Sequence, residues 1–303
     1  MATILISGGT GLIGSALVNE LLRRGHSVRV LSRSGSGVPK GATACLWNPS
    51  KGSMDASSVE GIDGVIHLAG AGVADKRWTE ERKNLIIDSR VESARLIKQT
   101  LKKAGVAPRF FISASGSNYY GTTTTSHIFE EREAPGSDFL GACCRMWEEA
   151  AFLENSAGRV VALRTGVVFA NGGGALDKLV LPIRLWAGSP LGSGKQYVPW
   201  IHIDDLVAMY VKAVEDDAMQ GPYNAVAPGH ITQAEQTRLI AKILKKPLWL
   251  PNVPAFVLRL MLGEMSSIVL QGSRLSSEKI TKAGFTYRFP SAEEALRDLL
   301  SSP

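Results

Sequence analysis

Cysteine is scarce: Cys45, Cys143 and Cys144 are the only three in 303 residues. So few cannot build a disulfide framework, and adjacent Cys143 and Cys144 are poorly placed to bridge one another. That usage suits a reducing compartment, and a cytoplasmic location is the expectation. No apolar run is long enough to cross a bilayer, and the N-terminus enters a strand without a basic leader. Histidines, cysteines and acids show no metal-ligand spacing, so no metal is expected. The formal charge of +6 is scattered in short groups such as Lys102-Lys103 and Lys245-Lys246. With no aromatics interleaved among them, these cations do not describe a nucleic-acid surface. Neither nucleic acid nor a membrane is an expected partner. A small-molecule substrate is, bound by a monomer or a homodimer. Repeats, low-complexity tracts and flexible linkers are absent too.

What is present begins at the N-terminus. Hydrophobic residues make up 45% of the chain and charged ones 20%, enough apolar material for a large soluble core. The β-branched run Thr3-Ile4-Leu5-Ile6 leads into Ser7-Gly8-Gly9-Thr10-Gly11-Leu12-Ile13-Gly14, and a helical pattern follows. A strand turning directly into a helix leaves backbone N–H groups without intrahelical partners, all aimed one way. With the helix dipole behind them, they form a site for a pyrophosphate. The three spaced glycines allow a tight turn, close ligand approach and close helix–strand contact. Gly8, Thr10, Gly11, Leu12, Ile13 and Gly14 are therefore the expected dinucleotide cradle.

Farther along, strand-like segments at 3–7, 27–32, 64–68, 110–114 and 160–165 alternate with helical patterns at 12–24, 80–104 and 140–154. That alternation predicts an α/β fold, a Rossmann-type doubly wound parallel sheet. A helical stretch over 176–186 lies between glycine-rich segments, and a helix running to about 215 follows residues 198–206. A strand returns at 223–226, and residues 229–303 read as mainly helical. The division expected is a dinucleotide-binding domain of 1–170 plus about 198–228. A smaller, mainly helical substrate lobe of 171–197 plus 229–303 is woven into it.

Several motifs, in order, resemble the extended short-chain dehydrogenase/reductase superfamily. They are Gly8–Gly14, His67-Leu68-Ala69-Gly70, Leu163–Phe169, Trp200–Leu206 and Gly221-Pro222-Tyr223-Asn224. Arg77-Trp78, Ser89-Arg90, Tyr119-Tyr120-Gly121, Cys144–Glu148 and Pro190–Gln196 are similar to its atypical epimerase-family branch, relatives of the NAD-dependent epimerases/dehydratases. That branch ends in a small helical region of unknown function. The resemblance implies a nicotinamide cofactor more firmly than it implies a substrate.

NAD-selective enzymes place an acid at the end of the second strand for the ribose 2′-hydroxyl. Here that strand ends Leu31-Ser32-Arg33 with no acid nearby. A guanidinium suits a 2′-phosphate, and the expected cofactor is NADP(H), held by Ser32 and Arg33. The alternative leaves Arg33 as a solvated loop residue. Leu68 and Ala69 would bring their backbone near the adenosine side, Gly70 is a further expected cofactor contact, and Val168 would lie near the nicotinamide end. Arg90 is read either as a cofactor contact or as a helix-surface ion pair.

The superfamily's Tyr-x-x-x-Lys supplies a phenol for proton transfer and a lysine that lowers its pKa. Counting back from Glu148 puts Cys144 at the lysine position and Leu140 at the tyrosine position, and neither can do that work. Ser115, Tyr119 and Tyr120 are the catalytic candidates in their place, with packing under the loop as the alternative. Cys144 is expected to be a structural thiol, and His67 a satisfied core histidine. In the 202–205 segment, Asp204 or Asp205 is expected to cap the following helix. Lys195, at the tip of a glycine-rich loop over 188–196, and Tyr197 and Trp200 after it are candidate substrate contacts; the loop either closes on an anionic or sugar-like ligand or forms a rigid turn.

Two functions stay open at this level. One is an NADP(H)-dependent oxidoreductase or epimerase acting on a small carbonyl, hydroxyl or sugar-like compound. The other is a catalytically weak NADP(H)-binding sensor or regulatory module, for which the resemblance implies an association with cell division.

Overall fold

A computed structural model describes residues 1–153 and 157–301. Strands β1 (Thr3–Ser7), β2 (Ser27–Ser32), β3 (Thr43–Asn48), β4 (Ser53–Met54), β5 (Gly64–His67) and β6 (Phe110–Gly116) come first. They alternate with helices α1 (Leu12–Arg23) and α2 (Glu80–Ala104). After β7 (Ile128–Phe129) come α3 (Phe139–Phe152), β8 (Arg159–Thr165), β9 (Val167–Phe169), α4 (Gly174–Arg184), β10 (Trp200–His202), α5 (Ile203–Glu215) and β11 (Gly221–Ala225). The remainder is α6 (Gln233–Ile243), α7 (Ala255–Leu262), α8 (Ser267–Leu270), β12 (Arg274–Leu275), α9 (Glu278–Lys282) and α10 (Ala292–Leu300).

The main sheet runs β11-β8-β6-β5-β1-β2-β3-β4, parallel except for the β3–β4 pair. This is the doubly wound arrangement expected. Strand β1 sits at the switch point, pairing Ile6 with Val30 of β2 on one side and with Ile66 of β5 on the other. The connections after β1 and β5 therefore leave on opposite faces and open a crevice beyond the carboxyl edge. Ile4, Leu5 and Ile6 are fully buried because helices cover both faces, which explains a continuous apolar run in place of alternation.

Helix boundaries follow local chemistry. Thr79 caps α2 by accepting from the Arg82 N–H, Glu80 and Glu81 fill its first turn, and Gly105 ends it in the left-handed region. Asp138 caps α3, which starts one residue before the expected 140. The expected last residue of that helix, 154, lies outside the described residues. Helices α6 and α10 each open with a reciprocal capping box, Thr232–Glu235 and Ser291–Glu294.

The strand pattern anticipates nothing between Ser32 and Gly64, yet β3 pairs with β2 there. Its run Thr-Ala-Cys-Leu-Trp-Asn leaves Thr43, Ala44 and Leu46 exposed near the sheet edge, so its apolar signal is diluted. Farther on, α4 occupies 174–184 and not 176–186, because Pro182 sits in its last turn and the left-handed Trp186 ends it. A second core joins Phe169 and Trp200 to Ile240 on α6 and Leu296 on α10. Ile280 and Phe285 of the C-terminal region reach the main core instead, so the helical region is interleaved with the sheet. Among the described residues no helix is long and apolar enough to cross a membrane.

Candidate functional site

The turn between β1 and α1 has the geometry of an anion cradle. Gly8 has φ +74°, and its carbonyl accepts from the Gly11 N–H at 3.1 Å. A Cβ on Gly14 would stand 2.1 Å from that carbonyl oxygen, and one on Gly8 would stand 2.8 Å from the Leu68 carbonyl carbon. Turn, helix and β5 thus touch backbone to backbone. Helix α1 has no side-chain cap and no acid in its first turn. Its leading N–H groups stay available, and no carboxylate competes with a phosphate for them. This fits a pyrophosphate, on geometry alone.

The other residues expected to contact the cofactor lie on or just after β5, β2 and β9. At the end of β5, the Leu68 N–H donates to the Ser7 carbonyl at 3.1 Å and the Ala69 N–H to Ser7 Oγ at 3.3 Å. Both side chains are half-buried, and Gly70 beyond them is exposed. At the end of β2, Ser32 is buried and its Oγ accepts from the Gly35 N–H at 3.1 Å. Arg33 is exposed, and among the described residues it forms neither an ion pair nor a side-chain hydrogen bond. Val168 lies half-buried on β9, paired with Ile201 of β10.

Arg90 is not a surface ion-pair residue. It is buried, donates from Nη1 to the Ala71 and Ile86 carbonyls at 2.9 and 2.8 Å, and packs 4.8 Å from the Trp147 ring centroid. No carboxylate among the described residues pairs with it, so burial pulls its pKa down. A Cβ on Gly70 would meet Arg90 Cζ at 2.9 Å, so the guanidinium packs directly on the strand end beside the crevice. His67 is a satisfied core histidine: Nδ1 meets Ser7 Oγ at 2.9 Å, and Nε2 meets the Arg90 carbonyl and Ser93 Oγ at 3.1 Å. Full burial lowers its pKa to about 4, so the ring is neutral.

The catalytic candidates fall into one buried network. Ser115 Oγ donates to Glu148 Oε1 at 2.7 Å. Arg164 grips the same carboxylate with Nε and Nη2, each at 2.8 Å. Its Nη1 donates to the Tyr120 hydroxyl at 2.8 Å and to the Glu131 carbonyl at 3.0 Å. Tyr120 in turn donates to Asn224 Oδ1 at 2.7 Å, and the Asn224 N–H reaches Glu131 Oε1 at 2.9 Å. Ser115 and Tyr120 are each 4% exposed. Tyr120 therefore has its proton donated and its lone pair engaged inside the protein, and burial raises its pKa further. Tyr119 is half-buried, with the Arg164 guanidinium 3.4 Å from its ring centroid.

Leu140 and Cys144 stand buried on α3, and burial pushes the Cys144 thiol up to about 12. Neither an acid nor a ready nucleophile occupies the superfamily's usual positions. The Arg164–Glu148 pair is what the sequence reading missed. Its signals were a charge inside the apolar strand run Val160–Thr165 and an acid on the inner face of α3.

The substrate candidates separate. Lys195 is exposed, and Tyr197 is half-buried under Arg274, whose Cζ lies 4.9 Å from its ring centroid. Trp200 is a core residue, contrary to expectation: it is 1% exposed, stacks on Phe169 at 5.1 Å, and donates from Nε1 to the Gly229 carbonyl at 2.7 Å. The 188–196 loop is the rigid alternative. Buried Gln196 donates to the Leu191 and Val269 carbonyls at 3.0 and 2.7 Å, and Gln233 Oε1 accepts from the Leu191 N–H at 2.8 Å. The cap of α5 also differs from expectation. His202 Nδ1 accepts from the Asp204 N–H at 3.1 Å, while Asp205 takes the Arg288 and Phe289 N–H groups at 2.8 and 3.0 Å. Asp205 is thus spent on pinning the C-terminal region to α5.

Comparison with known proteins agrees with this architecture. The model of the NAD dependent epimerase/dehydratase family matches residues 4–226, and that of a domain of unknown function, DUF1731, matches residues 253–299. The mouse epimerase family protein SDR39U1 is 33% identical over 301 residues, covering 98% of this chain and 99% of its own length. Epimerase family protein YfhF of Bacillus subtilis is 34% identical over 300 residues, covering 98% of each. Among solved structures, human SDR39U1 (isoform 2), determined with NADPH, superposes with a TM-score of 0.87 at 31% identity, covering 99% of this chain and 100% of its own. A UDP-glucose 4-epimerase of Thermotoga maritima shares the fold, with a TM-score of 0.80 at 20% identity over 99% of this chain and 97% of its own. With the family's model spanning most of the chain and relatives matching it end to end, the protein belongs to the NAD dependent epimerase/dehydratase family.

Proposed function

We propose that this protein binds NADP(H) in the crevice beyond β1 and β5 and acts as an atypical oxidoreductase or epimerase on a small carbonyl, hydroxyl or sugar-like compound. The observation that carries the cofactor is Arg33, exposed just past β2 and without an ion pair among the described residues, together with an α1 N-terminus that has no side-chain cap and no acid in its first turn. The NADPH in the human relative's structure supports the same choice. The turn Gly8–Gly14 would hold the pyrophosphate, Ser32 and Arg33 the 2′-phosphate, and Leu68, Ala69 and Gly70 the adenosine side. Arg90 and Val168 would stand toward the nicotinamide. Bound nicotinamide supplies a hydride acceptor or donor.

Within that frame, Tyr119 is assigned the proton-handling role. Tyr120 and Ser115 already spend their hydroxyl protons on Asn224 and Glu148, and so position the loop that carries Tyr119. Lys195 and Tyr197 remain the substrate-side candidates. Titration with NADPH and NADH tests the cofactor assignment: Arg33→Ala is expected to weaken NADPH binding by about tenfold or more and leave NADH unchanged. Equal affinity of the unaltered protein for both cofactors would sink it.

A second reading is favoured by the same buried network. With the serine, one tyrosine and the usual lysine position all unsuited to fast proton transfer, the protein would serve as an NADP(H)-binding sensor. Turnover of NADPH across a panel of carbonyl compounds, abolished by Tyr119→Phe, decides for the enzyme.

A further inference from the structure

The C-terminal end of α4, the strip before α7 and α7 itself carry apolar side chains that nothing in the described chain covers. Leu185, Trp186, Trp249, Phe256, Leu260 and Met261 are each between 53% and 77% exposed. Helix α7 buries only Leu258, although six of its eight residues are Leu, Val, Phe or Met. The segments that carry them are neighbours. Trp249 Nε1 donates to the Trp186 carbonyl at 3.0 Å, and the Gly192 N–H donates to the Val253 carbonyl at 2.9 Å. The strip 249–254 therefore runs beside 186–192. At their other ends both helices rest on one segment, through Lys178 Nζ on the Ala74 carbonyl at 3.4 Å and Arg77 Nη2 on the Leu260 carbonyl at 3.5 Å.

Cations outnumber acids around this face, whose far end is flanked by Asp75 and by Glu264, paired with Arg82 and Lys83. No acid occurs between Asp177 and Asp204 or between Glu235 and Glu264, while Arg184, Lys245, Lys246 and Arg259 lie in those stretches. Lys246 Nζ sits 4.3 Å above the Trp186 ring. The backbone is unusual at the same place. Among the described residues the two non-glycine positions with positive φ are Trp186 (+64°) and Lys245 (+53°). Each follows the C-cap of a helix, α4 and α6, where glycine is the usual occupant. The fold accepts that strain and presents an indole and a lysine outward.

We propose that this face docks the protein on an anionic phospholipid surface. An exposed apolar helix, tryptophans beside it and lysine or arginine around them form the pattern of an interfacial anchor, with the cations reaching the headgroups. Phe256 and Leu260 project from the outer side of α7, one turn apart, instead of lining a groove. That suits insertion into an interface more than reception of a peptide. The proposal concerns lying on a membrane, not spanning it. It revises the expectation of no membrane partner and stands apart from the cofactor reading.

The test is co-sedimentation of the full chain with two vesicle types, phosphatidylcholine alone and phosphatidylcholine mixed with phosphatidylglycerol. Binding to the mixed vesicles only, weakened by salt and accompanied by a blue shift of tryptophan emission, is the expected result. Phe256→Glu with Leu260→Glu, and separately Lys245→Glu with Lys246→Glu, should each weaken partitioning by about tenfold. Lys102→Glu with Lys103→Glu, at the far end of α2, should leave it unchanged. Circular dichroism and melting confirm that each variant is folded. Failure to bind either vesicle, or equal loss in the α2 control, overturns the proposal. So does a dimer that Leu260→Glu dissociates while vesicles are ignored, which would make this face an interface between copies.

Discussion

Arg164 and Glu148 meet in the interior as a bidentate pair, with Nε and Nη2 each 2.8 Å from a different carboxylate oxygen. The pair joins β8 to α3, and through Ser115, Tyr120 and Asn224 it reaches β6 and β11. Two desolvated charges cost more than they return unless their remaining hydrogen-bond capacity is filled. Here it is filled, by Ser115 on the carboxylate and by Tyr120 and the Glu131 carbonyl on the guanidinium.

Breaking one half of the pair is accordingly expected to be severe. Glu148→Ala should lower stability by about 3–5 kcal/mol, since Arg164 would be left buried without its counter-charge. Arg164→Met combined with Glu148→Met should cost much less than the sum of the two single changes. Urea unfolding of the three variants measures this, and additive losses would show that the charges act independently.

Stability should fall on acidification through His67. Its folded pKa, about 4, lies below the ordinary 6.5 because the ring is fully buried. Between those values the unfolded chain binds the proton and the folded chain does not, so stability rises with pH across that window. The contribution is complete above about pH 6.5 and is lost as pH falls toward 4, amounting to about 3 kcal/mol. Denaturation at a series of pH values should show this slope, and His67→Gln should flatten it.

The thiols should resist modification. Cys143 and Cys144 are buried, and burial holds both pKa values above the ordinary thiol range. A disulfide reagent such as DTNB should leave both untouched in the native protein and titrate them on unfolding. Rapid labelling of Cys144 in the folded state would overturn this.

Gly14 is the position where a single methyl group should abolish cofactor binding. Its Cβ would stand 2.1 Å from the Gly8 carbonyl oxygen, which belongs to backbone and cannot swing aside. Gly14→Ala should therefore distort the cradle and remove dinucleotide affinity. Gly25→Ala, at a positive φ but with open space around it, should reduce stability only modestly, by about 1 kcal/mol, and leave binding intact. Calorimetric titration with NADPH separates the two.

Local chemistry explains why much of this protein was legible before folding was considered. The β1 strand, the glycine turn and the α2 start at Thr79 and Glu80 are written in residues a few positions apart. Strand β3 was missed because its outward-facing Leu46 and Thr43 blur the pattern. The assignment of Trp200 to a ligand failed for a related reason: a tryptophan beside a glycine-rich loop looks available until Phe169, distant in sequence, is stacked against it.

The sequence by itself determined the doubly wound sheet, the phosphate turn and the basic end of β2, since each depends on neighbours along the chain. Tertiary structure decided what became of the catalytic candidates. Ser115, Glu148, Arg164 and Asn224 come from four separate elements, and only their packing shows that the serine and Tyr120 are committed to a buried charge network. Hydrogen-bond satisfaction in an interior is a property of the assembled fold, because a proton already donated inside it is not free for a substrate.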